Sequence, residues 1–171
     1  MIILCGMMGC GKTTAAKLIG ERLGWHTVDT DEWIERNFGS IDGIFKKYGE
    51  PHFRDLERLA ATALKGVERE TVVSVGGGFV LQKDNADTLS EIGKIVYLRA
   101  RKETLVERLR GDSKRPLLSG AELSQRVEEL LFQRSDVYES VCNFVVDVDE
   151  KTPAKIADEV VEILKNNGSG A

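Results

Sequence analysis

The sequence predicts an α/β fold in which helices flank a five-stranded, mostly parallel sheet. Two observations carry that prediction. Short apolar runs alternate with stretches of helical period, so successive strands are joined by helical crossovers rather than hairpins. The runs "TVVSV" (Thr71–Val75) and "KIVYL" (Lys94–Leu98) are apolar almost without a break, as strands buried on both faces are. At 171 residues the chain suits one domain with a core of its own.

Taken in order, "IILC" (Ile2–Cys5) is the first strand. "TAAKLIGERLG" follows, with Ala15, Ala16, Leu18, Ile19 and Leu23 at helical spacing and Gly24 as the stop. "HTVD" (His26–Asp29) is a short second strand, after which "DEWIERNF" opens a helix. "PHFRDLERLAATALKG" sets Phe53, Leu56, Leu59, Ala60, Ala63 and Leu64 on one face, with Pro51 at the start and Gly66 at the stop. Thr71–Val75, Lys94–Leu98 and "NFVVDV" (Asn143–Val148) complete the strands. A helix bearing Ile156, Val160, Val161 and Leu164 follows, and 167–171 reads as a flexible tail.

Composition narrows the function classes. Apolar residues make up 42% and charged residues 30%, which excludes disordered and membrane-spanning chains; no apolar run approaches the ~20 residues a bilayer needs. The N-terminal run lacks a basic flank and ends in glycines, unlike a secretory leader. Three cysteines (Cys5, Cys10, Cys142) have neither metal-ligand spacing nor an even count, which fits a reducing cytoplasm. The net charge of −4 gives no reason to expect nucleic acid or an anionic membrane, so an anionic ligand must be held by local basic groups.

Such groups follow the first strand. "GMMGCGKTT" (Gly6–Thr14) fits G-x-x-x-x-G-K-[ST] through Gly6, Gly11, Lys12 and Thr13, with a strand before it and an amphipathic helix after it. Glycines let backbone N–H groups turn inward around phosphate oxygens, and the helix N-terminus adds partial positive charge. Lys12 can reach the β- and γ-phosphates, and the Thr13 hydroxyl can ligate Mg²⁺. The loop implies a nucleoside triphosphate. It leaves open a GTPase switch, a motor or a small-molecule kinase, although about 155 residues leave little room for a motor's partner domains.

Ligands on parallel sheets bind at the carboxyl ends of the strands. The second strand ends in "DTD", where Asp29 and Asp31 can share a metal-holding and a hydroxyl-accepting role; alternatively Asp31 caps the next helix. The third ends in Gly76-Gly77-Gly78, bare backbone where other phosphate-loop proteins carry an acid. A backbone anion nest, a close approach to a ring, or a tight turn would each account for it. Arg54 shares a helix face with Glu57 and Arg58, either as a plain surface pair or as a guanidinium held to grip a carboxylate. "RLRGDSKRPLLSG" (Arg108–Gly120) reads as a basic mobile loop, and Arg134 lies on a helix with only Asp136 as an evident partner.

In order, "GMMGCGKTT", "DTD", "GEPHFRDLE", "GGG", "RPLL" and "QRSDVY" resemble the motifs of shikimate kinases over roughly residues 1–153. The resemblance implies a three-layer P-loop NTPase fold like that of nucleoside monophosphate kinases, with sheet order 2-3-1-4-5. It implies one domain over 1–166, with a lid at about 108–123 and an acceptor-binding helical region at about 31–65. The activity implied is transfer of the γ-phosphoryl of ATP to the 3-hydroxyl of shikimate in a monomeric cytoplasmic enzyme. ATP would contact Gly9, Cys10, Gly11, Lys12, Thr13 and Thr14, with Arg108 on adenine, Arg115 from the lid, and Pro153. Thr13 and Asp29 would serve Mg²⁺. Asp31 would contact the acceptor hydroxyls, and Lys12, Asp31 and Arg115 would be catalytic. Arg54 and Arg134 would hold the acceptor carboxylate, with Glu57 fixing Arg54. Gly76, Gly77, Gly78, Phe45, Phe53 and Leu117 would line the pocket. The stretch "VDVDEKTP" departs from the family, which often carries basic residues there. Another small-molecule kinase, acting on gluconate or a nucleotide, and a non-catalytic nucleotide switch are the competing readings.

Overall fold

The computed structural model describes residues 1–110 and 120–168. Strands β1 (Ile2–Cys5), β2 (His26–Asp29), β3 (Thr71–Ser74), β4 (Lys94–Arg99) and β5 (Phe144–Asp147) form one parallel sheet in the order β2-β3-β1-β4-β5. This is the order the resemblance implies. Because β1 pairs with β3 on one side and β4 on the other, the order of winding reverses at β1, and a crevice opens beyond its carboxyl end.

The helices are α1 (Lys12–Leu23), α2 (Thr30–Phe38), α3 (Ile41–Leu64), α4 (Lys83–Ile92), α5 (Lys102–Arg110), α6 (Gly120–Val141) and α7 (Pro153–Gly168), with a 3₁₀ turn at Phe79–Leu81. They bury the sheet: Ile3, Leu4, Val72, Val73, Ile95, Leu98 and Val146 have no solvent exposure. α1 packs on α7; Ala15, Ala16 and Ile19 are buried on the first helix, and Ile156, Ala157 and Val160 on the second. Each large side chain so buried contributes about 1.5–3 kcal/mol. No helix among the described residues is long and apolar enough to cross a membrane.

Differences from the sequence reading have local causes. β3 stops at Ser74 and β5 at Asp147, because the next residues turn into loops. Helix α3 begins ten residues before Pro51. Ser40 accepts from the Gly43 N–H to start it, and Gly49, at φ 78°, kinks it. Pro51 lies just past the kink, where a missing N–H costs nothing. The stretch read as a basic loop is helical at both ends. Arg108 and Arg110 belong to α5, and 120–123 belong to α6; residues 111–119, with Arg115 and Leu117, lie outside the described residues. α7 includes Asn167 and Gly168, which were read as tail; 169–171 lie outside the described residues.

Gly20 lies mid-helix in α1, where alanine would ordinarily be favoured by about 1 kcal/mol. A Cβ there would fall 2.5 Å from Thr27 Cγ2 and 3.0 Å from the Trp25 carbonyl oxygen. Overpacking typically costs 1–3 kcal/mol. Gly20→Ala is therefore expected to lower the midpoint of a thermal melt by roughly 2–8 °C; a midpoint at or above the parent's would show that α1 does not press on β2.

Candidate active site

The phosphate loop is built by backbone conformations that side chains resist. Gly9 and Gly11 sit at φ 81° and 99°. Gly11 precedes α1 and has no side chain with which to cap it. The N–H groups of the first turn therefore face the loop's concavity as an anion site. Lys12, only 9% exposed, donates through Nζ to the carbonyls of Gly6 and Met7, both at 2.9 Å. Cys10 is fully buried, with Sγ 3.9 Å from that ammonium, so its thiol is part of the loop's packing. Thr14 is exposed on the first turn of α1. α5 closes over the loop from one side. Arg108 donates to the Cys10 carbonyl at 3.0 Å and the Val148 carbonyl at 3.4 Å, and Leu109 abuts Gly9.

Asp29 serves two elements. Its Oδ2 accepts from the Thr13 hydroxyl at 2.7 Å. Its Oδ1 accepts from the N–H groups of Asp31 (3.0 Å) and Glu32 (3.3 Å), so Asp29, not Asp31, caps α2. As the last residue of β2 its backbone is extended, the conformation an N-cap requires. Asp31 is left to project from the first turn of α2 toward β3. The Ser74 hydroxyl lies 3.4 Å from that of Thr13, and Ser74 pairs in register with Asp29. These hard oxygens fit Mg²⁺, which takes one or two protein oxygens and completes its shell with water and phosphate. Among the described residues no three His, Cys, Asp or Glu side chains converge as a larger metal cage would require.

The glycine triplet meets a different neighbour at each residue. A Cβ on Gly76 would lie 2.6 Å from Asp31 Oδ1. One on Gly77 would lie 3.5 Å from the Gly6 carbonyl oxygen and the Met8 N, and 3.7 Å from Arg134 Nη1. One on Gly78 would lie 2.5 Å from Arg54 Nη1. None of the three has a positive φ, and the Gly76 N–H already donates to the buried Thr30 hydroxyl at 3.1 Å. A backbone anion nest, which needs a left-handed residue, does not form here. What Gly76 and Gly78 supply is room for the side chains of Asp31 and Arg54.

Arg54 is the most constrained of those side chains. Nη1 donates to Glu57 at 2.7 Å, while Nη2 and Nε donate to Glu50 at 2.6 and 3.2 Å. Glu57 is 1% exposed, which excludes the surface-pair alternative. Burial raises the Glu57 pKa above its ordinary 4.5, Arg54 opposes the rise, and Asp31 and Glu50 add to it. Burial also acts against the Arg54 charge, but the bonds to Glu57 and Glu50 outweigh it and its pKa is raised. Phe53 packs beneath, its ring 5.6 Å from the guanidinium carbon and 4.8 Å from the half-exposed ring of Phe45. Arg134 reaches the same region from α6, one turn before the buried Tyr138, and among the described residues it makes no ion pair with Asp136.

Pro153 opens α7 from the loop that departs from the family pattern. Its acids are engaged. Arg99 binds Asp147 at 2.7 Å and holds its carboxyl below the usual range. Asp149 accepts from the Arg101 N–H (3.0 Å) and the Thr104 hydroxyl (2.6 Å), and Glu150 accepts from Arg101.

Sequence reasoning assigned no role to Ser74, Thr30, Glu50 or Tyr138. Ser74 had a signal, as a hydroxyl ending the strand next to Asp29. So did Glu50, four residues before Arg54 on a helix, and Tyr138, four residues after Arg134. Thr30 had none, because its partner lies 46 residues away.

A shikimate kinase family model matches residues 8–165. A shikimate kinase of Thermodesulfovibrio yellowstonii is 37% identical over 99% of this chain and 97% of that one. A shikimate kinase of Moorella thermoacetica is 39% identical over 96% of this chain and 94% of that one. Among solved structures, the shikimate kinase of Acinetobacter baumannii in complex with shikimate superposes with a TM-score of 0.90 at 32% identity, covering 97% of this chain and 93% of that one. That of Aquifex aeolicus superposes at 0.82 with 28% identity, and the match covers both chains in full. With the phosphate loop, the parallel sheet and the two-arginine crevice in one chain, these matches settle its kinship: the chain belongs to the shikimate kinase family.

Proposed function

We propose that this chain transfers the γ-phosphoryl group of ATP to the 3-hydroxyl of shikimate, releasing ADP and shikimate 3-phosphate. The observation that carries the reading is the convergence of Asp31, Arg54 and Arg134 on the three glycines, beside the phosphate loop. Shikimate is a small ring with one carboxylate and three hydroxyls. Two guanidinium groups suit the carboxylate, and Asp31 suits a hydroxyl. A nucleotide acceptor would call for side chains that read a base, which the crevice does not offer among the described residues.

In this reading the triphosphate lies in the Gly6–Thr13 loop, with Lys12 on its outer phosphates and Arg108 at the adenine end, near Pro153. Thr13 and Asp29 would hold Mg²⁺, which when bound neutralises charge on the phosphate oxygens. Arg54 and Arg134 orient the ring by its carboxylate, and Asp31 orients the 3-hydroxyl and takes its proton as the bond to phosphorus forms. Phe45 and Phe53 shape the wall. One kinase domain over 1–166, with the acceptor side drawn from 31–65, accommodates all of these roles. The free thiols of Cys5, Cys10 and Cys142 suit a reducing cytoplasm, and the enzyme is proposed to act there as a monomer.

Release of ADP from Mg-ATP is expected to depend on shikimate. Equal release without it, or with gluconate in its place, would refute the assignment. Gly78→Ala is expected to fold, because the three atoms nearest the added methyl all belong to the Arg54 guanidinium, which can yield without moving backbone. It should raise the shikimate KM by about tenfold and leave the ATP KM within about twofold; equal effects on both would place Arg54 outside the acceptor site.

Glu57 separates stability from function. A raised pKa in the folded state means that its contribution to stability is present below the ordinary 4.5 and is lost as pH rises through the folded value. At pH 7 the buried carboxylate therefore costs stability. Glu57→Gln removes that cost, and Glu50 still pairs with Arg54. The variant is expected to melt at or above the parent at pH 7, with the advantage shrinking as pH falls toward 5. Its shikimate KM should rise by about tenfold. Thermal melts across pH with parallel kinetics check both halves, and an unchanged KM would remove Glu57 from the orientation of Arg54.

A further inference from the structure

Tyr138 lies beneath the site and has no part in the chemistry above. It is fully buried in α6, its ring 5.0 Å from that of Tyr97. Filling space does not require a hydroxyl, and a buried hydroxyl is costly unless bonded. This one donates to the Gly77 carbonyl at 2.5 Å and lies 3.7 Å from Met7 Sδ in the phosphate loop. The Arg134 guanidinium rises from the same helix face one turn earlier, and its positive charge opposes the rise that burial imposes on the Tyr138 pKa. A phenol oxygen can donate to a carbonyl and still accept from an arginine. Gly77 is the glycine whose missing Cβ would touch both the phosphate-loop backbone and Arg134. One oxygen thus sits where the phosphate loop, the acceptor floor and the carboxylate clamp meet.

We infer that Tyr138 is a positioning residue for the acceptor: its hydroxyl fixes the Gly77 carbonyl and orients Arg134 toward the acceptor carboxylate. The inference rests on the acceptor role of Arg134. Phenylalanine keeps the ring and its packing and removes only the hydroxyl, with its bond to the Gly77 carbonyl.

The test is Tyr138→Phe in the full chain, alone and combined with Arg134→Lys, with steady-state kinetics for each substrate. The single variant is expected to raise the shikimate KM about three- to tenfold and leave the ATP KM within about twofold. In the Arg134→Lys background its effect on the shikimate KM should fall below about twofold, because the two residues act as one unit. Equal shifts in both KM values, no shift, or a full additive effect in the double variant would overturn it. If Tyr138→Phe loses its cooperative melt, the parent protein carries the test. Labelling at tyrosine Cζ gives three signals, assigned by Tyr48→Phe and Tyr97→Phe. The Tyr138 signal is expected to move on saturation with shikimate and to stay in place with ATP alone; no movement with shikimate would overturn the inference. A parent that fails to phosphorylate shikimate would instead defeat the acceptor assignment itself.

Discussion

The site depends on one constraint of space at the carboxyl end of β3. Asp31 from α2, Arg54 from α3, and Arg134 with the phosphate loop all approach the same three residues within 4 Å of where side chains would begin. Interiors are packed too tightly to absorb an extra methyl without displacing something. Were Gly76 and Gly78 to carry Cβ atoms, Asp31 and Arg54 would in turn be pushed off, whereas a Cβ on Gly77 would just touch the phosphate loop and Arg134. With no positive φ at Gly76 or Gly78, these two glycines answer to crowding from outside, not to the path of their own backbone. The side of the crevice that holds Asp31 and Arg54 is therefore shaped by the side chains that Gly76 and Gly78 lack.

That crowding has to be held in register with the phosphate side, and Asp29 does so. One of its oxygens takes the Thr13 hydroxyl from α1; the other caps α2, which carries Asp31. A shift of α2 would thus be felt at the Thr13 hydroxyl. Electrostatics follows a similar economy. The protein carries a net charge of −4, yet its ligands are anions. Arg54 is not left as a bare cation: two carboxylates fix its fork, one of them Glu57, buried against the preference of a carboxylate for water. A buried ion pair is poor evidence of stability, and here it is better understood as orientation obtained at some cost in stability.

Much of this was legible in the chain. β1 and β2 could be placed to the residue, because each apolar run is bounded by a glycine or an acid. The phosphate loop could be read because its chemistry is local. The first part of α3 escaped, since "IDGIFKKYG" holds two glycines and little helical period, and its cap bond from Ser40 reaches only three residues. α4 escaped because "KDNADTLSEI" is mostly polar. The choice between Asp29 and Asp31 as cap could not be made from residue type. The strand boundary decides it, since only the residue still in the extended conformation can cap. Thr30 acts through a partner 46 residues away, a distance at which sequence pattern carries no information.

The acidic loop between β5 and α7 completes the argument, because it looked least like the family and is tied most closely to the nucleotide side. Asp149 takes the Arg101 N–H and the Thr104 hydroxyl, so it satisfies the start of α5, where a negative charge also suits the helix dipole. α5 is nine residues long, about 13 Å. At its other end Arg108 bonds Cys10 in the phosphate loop and Val148 in the same acidic loop. The loop thus grips α5 at both ends and fixes how Arg108 and Leu109 lie on Gly9–Gly11. A basic residue at 149 would face the unsatisfied N–H groups of α5 with the wrong sign. The departure in sequence is therefore a different way of fixing one helix against the phosphate loop, and it leaves the residues of the crevice untouched.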